Sequence, residues 1–269
     1  MMFMHAKYKI AFFDIDGTLV DSYASGDTMF EKIPQSAKDA IRKLEANGII
    51  TAIATGRGKA IIQELVDALG MHSYISSNGQ SLVFHGEEIH KEFVAEEKIT
   101  MILDALHERI ESGEVIIGYE TPSGRIIADR QLSDFDKRFD KYPQINGSLN
   151  DYKHHDVYQV AIYCQDRDSI SIDVPGVSAK VVAPVVLNVI PEHVSKAYAI
   201  EKMLAELGID KSEAIAFGDE LNDLEMFGAV GLPIAMGNAV PELKAAAAYV
   251  TDDVDKDGIY NACVHFNLI

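Results

Sequence analysis

Short, almost continuous apolar runs alternate with helix-period segments at both ends of this chain, and that rhythm confines the fold more than any other feature. Lys7–Phe13 reads as a first strand. Residues from about Pro34 to Asn47 carry Ala37, Ala40, Ile41 and Leu44 at helical spacing, and Gly48 stops them. Ile49–Ala54 reads as a second strand, Gly58–Leu69 as a second helix closed by Gly70, and Tyr74–Ser76 as a third strand. Near the other end, Val185–Ile190, Ala214–Phe217, Ile234–Met236 and Tyr249–Thr251 read as strands. Helical segments separate them at Ser195–Leu207, Leu221–Phe227 and Pro241–Ala248. Buried strands alternating with helices of this length predict βαβ units and a parallel sheet.

Between residues 85 and 185 the texture changes. A long amphipathic segment, Ala95–Glu111, precedes short alternating runs at Val115–Tyr119, Arg125–Ala128 and Val157–Tyr163, with turn signals such as Thr121-Pro-Ser-Gly124 between them. This pattern predicts a small α+β domain, residues 85–185, inserted into a parallel-sheet domain made of residues 1–84 and 186–269. A length of 269 residues suits about two domains.

Charge narrows the partners. Asp and Glu number 42 against 24 Lys and Arg, a formal net of −18, spread over both predicted domains. Nucleic acid and anionic membranes recruit basic patches, so neither is expected as a partner. A small anionic substrate answers to the local field of a pocket and stays open. The start of the chain does not read as a signal peptide, and two cysteines are too few for a disulfide framework, so a cytoplasmic location is expected.

Four groups of polar residues fall just past strand ends or at helix starts, where open parallel sheets build their sites. Phe13-Asp14-Ile15-Asp16-Gly17-Thr18 places two carboxylates after the first strand. Thr55-Gly56-Arg57 adds a hydroxyl and free N–H groups after the second, and Lys196 a cation at a helix start. Gly218-Asp219-Glu220-Leu221-Asn222-Asp223 adds two more carboxylates and an amide. Taken singly, each has a plain alternative: a turn, a helix cap, a surface lysine. Their joint recurrence at strand ends is what carries weight.

On these residues the chain resembles the haloacid dehalogenase superfamily, and within it the Cof-type sugar-phosphate phosphatases with an inserted α/β cap (type IIB). The resemblance implies a Rossmann-like parallel-sheet core, an inserted cap domain and a phosphatase acting on sugar or other small metabolite phosphates. It also implies Asp14 as nucleophile, forming an aspartyl-phosphate, and Asp16 as general acid and base. Thr55, Gly56, Lys196 and Asn222 match phosphate-holding positions. Asp14, the Asp16 carbonyl and Asp219 match Mg²⁺ ligands, and Asp223 matches a carboxylate that holds metal-bound water. Arg57, Asn78 and Asn188 are candidate substrate contacts. The chemistry agrees: a carboxylate approaching a phosphate dianion is repelled unless a divalent cation and a lysine neutralise the oxygens.

Competing readings are a phosphomutase of the same superfamily and a catalytically idle binding or regulatory module; on any of these readings the chain is expected to be a monomer or weak homo-oligomer. Asp253-Val-Asp255-Lys-Asp257-Gly258 imitates the start of a calcium loop, but its twelfth position is Val264, so a solvated turn is expected. Ala245–Ala248 is expected to be plain helix.

Overall fold

The computed structural model describes residues 7–124, 126–141 and 144–269. The opening residues Met1–Ala6 and Arg125, the start of one expected strand, lie outside that set. Chain contacts divide the protein into two units, one of residues 1–55, 64–89 and 195–269, the other of residues 56–63 and 90–194.

The strands in chain order are β1 (Ile10–Phe13), β2 (Ile50–Ala54), β3 (Tyr74–Ser76), β4 (Ser81–Phe84), β5 (Glu87–Lys91), β6 (Val115–Glu120) and β7 (Ile126–Ala128). They continue with β8 (Gln144–Asn146), β9 (Gln159–Cys164), β10 (Val177–Ala183), β11 (Val186–Pro191), β12 (Ala214–Gly218), β13 (Leu232–Ala235) and β14 (Tyr249–Val250). One sheet has eight strands in the order β14-β13-β12-β1-β2-β3-β4-β5. From β14 to β3 the pairing is parallel throughout, and β4 turns back on β3.

The expected parallel sheet is therefore present, for the expected reason. Ile10, Ala11, Phe12 and Phe13 are wholly buried, as helices cover the sheet. The helix Gln35–Ala46 turns Ala37, Ala40, Ile41 and Leu44 inward, the four residues whose spacing marks its apolar face. Burying Ile41 and Leu44 contributes about 1.5–3 kcal/mol each. Gly48 and Gly70 follow their helices with φ of +80° and +71°. The helix Lys196–Leu207 begins on Ser195, whose side chain accepts the Tyr198 N–H at 3.1 Å, and ends on the left-handed Gly208. Ala199, Ile200, Met203 and Leu204 anchor it in the core cluster that holds Phe12, Ala216 and Met226.

In the other unit, six strands lie in the order β10-β11-β9-β6-β7-β8, antiparallel except for β7 beside β8. Apolar clusters include residues on both faces. Tyr119, Val160, Ile162 and Val189 pack with the helix residues Ile99, Ile102 and Ile110. Ile116, Ala128, Ala161, Tyr163 and Val186 form a second cluster.

Several expectations need correction. The sequence reading places residues 186–190 in the parallel-sheet domain, but β11 pairs with β9 and β10 in the six-stranded sheet. The second domain accordingly extends to residue 194 and includes 56–63. A short apolar run buried on both faces looks alike in either sheet, so its pattern does not say which sheet it joins. The amphipathic segment Ala95–Glu111 is two helices, Glu96–Ala105 and His107–Ser112, broken at Leu106. The Ala245–Ala248 run leaves the helix after Ala246, where Ala247 is extended. Strands β4, β5, β8 and β10 and the helix Gly258–His265 have no counterpart in the sequence reading. Among the described residues no helix is long and apolar enough to cross a membrane.

Because Ser195 caps the helix that starts with Lys196, Ser195→Ala is expected to lower stability by about 0.5–2 kcal/mol. Urea denaturation measures it; an unchanged midpoint would show that the cap contributes nothing.

Candidate active site

Strands β1 and β12 lie side by side in register, Phe13 opposite Phe217, with their rings stacked at 4.9 Å. Each strand delivers an aspartate at its carboxyl end. Asp14 leaves β1 with its N–H donating to the Phe217 carbonyl at 3.1 Å, and Asp219 leaves β12 just after Gly218. The turn at 221–223 brings Asp223 back beneath Asp219. Its Oδ2 accepts the Asp219 N–H at 3.0 Å and the Glu220 N–H at 3.2 Å.

Lys196 enters this group from the first turn of its helix. Its Nζ donates to Asp14 Oδ1 at 2.6 Å and to Asp223 Oδ1 at 2.7 Å, and its side chain is 2% exposed. Burial works against the charge on Lys196, but Asp14 and Asp223 outweigh it and hold its pKa above the ordinary lysine value. Burial also raises Asp14 and Asp219. Asp14 is pushed up to about 7, with Lys196 opposing the shift and Asp223 adding to it. Asp219 is pushed up to about 8 by burial and then by Asp14, while the Thr18 hydroxyl, donating to its Oδ1 at 2.8 Å, pulls the other way.

Two glycines make this packing possible. A Cβ on Gly17 would fall 2.1 Å from Asp219 Oδ2, and its φ of +81° suits glycine. A Cβ on Gly218 would meet Asp223 at 2.7 Å.

Carboxylate oxygens of Asp14, Asp219 and Asp223 lie within 4.8 Å of one another, all three residues buried. Three carboxylates against the one ammonium of Lys196 leave an excess of negative charge in a place poor in water. Oxygen-only donors with unbalanced negative charge fit a hard divalent cation. Asp14 and Asp219 are the residues suited to ligate it directly. Asp223 has both oxygens occupied by Lys196 and the two backbone N–H groups, which suits it to hold the others in place.

The remaining candidates are placed as follows. Asp16 is solvent-exposed on the loop that follows Asp14. Thr55 is buried at the end of β2, which neighbours β1; its N–H donates to the Ile75 carbonyl and its carbonyl accepts the Asn78 N–H. Asn78 is itself buried, with a left-handed φ of +59°. Asn222 is exposed beside Asp223. Gly56 and Arg57 belong by contact to the second unit, as does Asn188, buried on β11 opposite Ala161 and Lys180. Thr18 and Asn238 escaped the sequence reading. Thr18 stands within the Asp14–Thr18 motif and was passed over as a hydroxyl among carboxylates. Nothing near Asn238 in sequence marks it, because its partner Gly17 is 221 positions away.

The raised carboxylates carry a pH signature. A carboxylate whose folded pKa exceeds its unfolded value takes up protons on folding, so stability falls as pH rises between the two. For Asp14 and Asp219 that window runs from about 4 to 7 and 8. Lys196, raised, contributes fully below the unfolded lysine value and stays constant in this window. With chelator present, the urea midpoint is expected to fall from pH 5 to pH 8, and an added divalent cation to raise it more at pH 8. A midpoint that rises with pH and ignores the cation would contradict the charge assignment.

The comparisons with known proteins agree with this geometry. Residues 11–263 match the family model of the haloacid dehalogenase-like hydrolases. The Bacillus subtilis (strain 168) protein named "Putative phosphatase YkrA" is 33% identical over 264 residues, which is 97% of this chain and 98% of that protein. The phosphatase BT1666 from Bacteroides thetaiotaomicron superposes with a TM-score of 0.83 at 26% identity, covering 97% of this chain and 96% of BT1666. The subclass IIB sugar phosphatase BT4131 does so with a TM-score of 0.79 at 28% identity, covering 97% and 100%. The chain belongs to the haloacid dehalogenase-like hydrolases.

Proposed function

We propose that this hydrolase is a Mg²⁺-dependent phosphatase that cleaves small phosphate monoesters, sugar phosphates among them, through an aspartyl-phosphate on Asp14. The observation that carries the reading is the buried Lys196 bridging Asp14 and Asp223 at 2.6 and 2.7 Å. One Asp14 oxygen is engaged by the ammonium, and the other is left to attack phosphorus from a fixed strand end. The sugar-phosphate class is supported by the description of BT4131 as a sugar phosphatase. A reducing, cytoplasmic setting suits the free, buried thiols of Cys164 and Cys263.

In the first displacement the Asp14 oxygen–phosphorus bond forms and the bond to the ester oxygen breaks. Asp16 gives its proton to the departing alkoxide. In the second, water attacks phosphorus, Asp16 takes its proton, and the bond to Asp14 breaks to release inorganic phosphate. Thr55, the Gly56 N–H, Lys196 and Asn222 hold the phosphate oxygens, with Arg57, Asn78 and Asn188 as further substrate contacts. Asp14, the Asp16 carbonyl and Asp219 would hold Mg²⁺, which when bound would supply positive charge against the repulsion between carboxylate and phosphate.

Asp14→Asn is expected to reduce phosphate release by at least about 10³-fold, since an amide is a poor nucleophile. Retention of the wild-type rate would remove Asp14 from the mechanism. Asp16→Asn should slow turnover by about 10²–10⁴-fold and leave phosphate covalently trapped on Asp14, seen as a mass increment. A panel of phosphorylated metabolites separates hydrolysis from isomerisation: stoichiometric inorganic phosphate is expected, and isomerised sugar phosphate without release would overturn the reading.

A further inference from the structure

Asn238 ties together three segments that are far apart in sequence. Its Nδ2 donates to the Gly17 carbonyl at 2.8 Å, and its Oδ1 accepts the Val254 N–H at 2.9 Å. The turn on which it stands is pinned from both sides. Met236 N–H donates to the Gly218 carbonyl at 3.0 Å, Val240 N–H to the Asp219 carbonyl at 2.9 Å, and Gly237 N–H to the Asp252 carbonyl at 2.9 Å. One turn thus grips the backbone on which Asp219 sits. Through a single side-chain amide it also grips the loop that carries Asp16.

Gly17 directly follows Asp16, in left-handed backbone closed by its N–H donating to the Val20 carbonyl at 2.9 Å. Asp16 is solvent-exposed and stands on this turn. The backbone that carries its side chain runs directly into Gly17, a residue with many conformations open to it. The Asn238 amide restrains that turn at the Gly17 carbonyl.

We infer that Asn238 is a positioning residue for Asp16, holding the Asp16–Gly17 turn in the orientation from which Asp16 protonates the leaving group. The inference rests on the phosphatase reading above. Loss of the amide then affects one step selectively. An alkoxide leaving group needs the proton from Asp16, whereas p-nitrophenolate leaves without much help. A general loss of structure or an altered charge at the site would slow both esters alike.

The experiment compares wild-type protein with Asn238→Ala and Asn238→Asp. An ionised aspartate still accepts the Val254 N–H but has no donor for the Gly17 carbonyl, so this variant isolates the bond in question. Values of kcat/KM report events only through transfer to Asp14, so the later role of Asp16 as base does not enter. On a sugar phosphate both variants are expected to lose about five- to tenfold, the loss of one useful hydrogen bond. On p-nitrophenyl phosphate the expected loss is less than about twofold. Hydrogen exchange adds a readout independent of turnover: amides of residues 15–20 should exchange faster in both variants, with those of β1 and β12 unchanged. Equal losses on both esters, no loss on either, or unaltered exchange at 15–20 would overturn the inference. If wild-type protein hydrolyses neither ester, the phosphatase reading falls, and the exchange measurement alone decides whether Asn238 holds the turn.

Discussion

The buried contact between one ammonium and two carboxylates organises this molecule. Lys196 and Asp14 are 182 positions apart, and Lys196 and Asp223 are 27 apart. Removing any of these charges from water costs several kcal/mol, recovered only when partners and further hydrogen bonds are in place. The surrounding architecture supplies them. Parallel pairing of β1 with β12 sets Asp14 beside the Asp219 loop. The Ser195 cap starts the helix one residue before Lys196, and the Asp219 and Glu220 N–H groups satisfy the far oxygen of Asp223. The apolar cluster around Met203 and Phe12 keeps the helix against the sheet.

That arrangement is left with more negative than positive charge. Asp14 and Asp219 are both raised well above ordinary carboxylates, which means that ionising them in the folded protein is costly. Functional sites store destabilising charge of this kind because the reaction needs it. In the mechanism proposed above, a cation bound between these carboxylates would reverse the field for an anionic substrate. On that mechanism an acidic protein with a net of −18 would handle phosphate by inverting its own potential locally.

Close packing of loops around the site depends on backbone as much as on side chains. Gly17 and Gly218 leave no room for a Cβ, because Asp219 and Asp223 press against them. The turn at 236–240 then links the two aspartate loops through carbonyl groups that any residue would present. Such links leave no trace in residue type, which is why the supporting layer of the site is harder to read than the charges it supports.

The sequence by itself determined the parallel sheet, the helix faces, the helix stops at Gly48 and Gly70, and the aspartates and lysine offered at strand and helix ends. Local hydrophobic period and local backbone preference suffice for these, since each is expressed within a dozen residues. Tertiary structure alone decided that β11 joins the six-stranded sheet, that Leu106 breaks one amphipathic segment into two helices, and that residues 56–63 pack with the second unit. It alone also decided that Asp223 spends both oxygens on Lys196 and backbone N–H groups, and that Asn238 meets Gly17. For the strand partnership and the contacts of Lys196 and Asn238 the physical reason is the same. Strand partnership and hydrogen bonds between distant loops depend on which surfaces meet once the chain has closed on itself, and no window of sequence contains both partners.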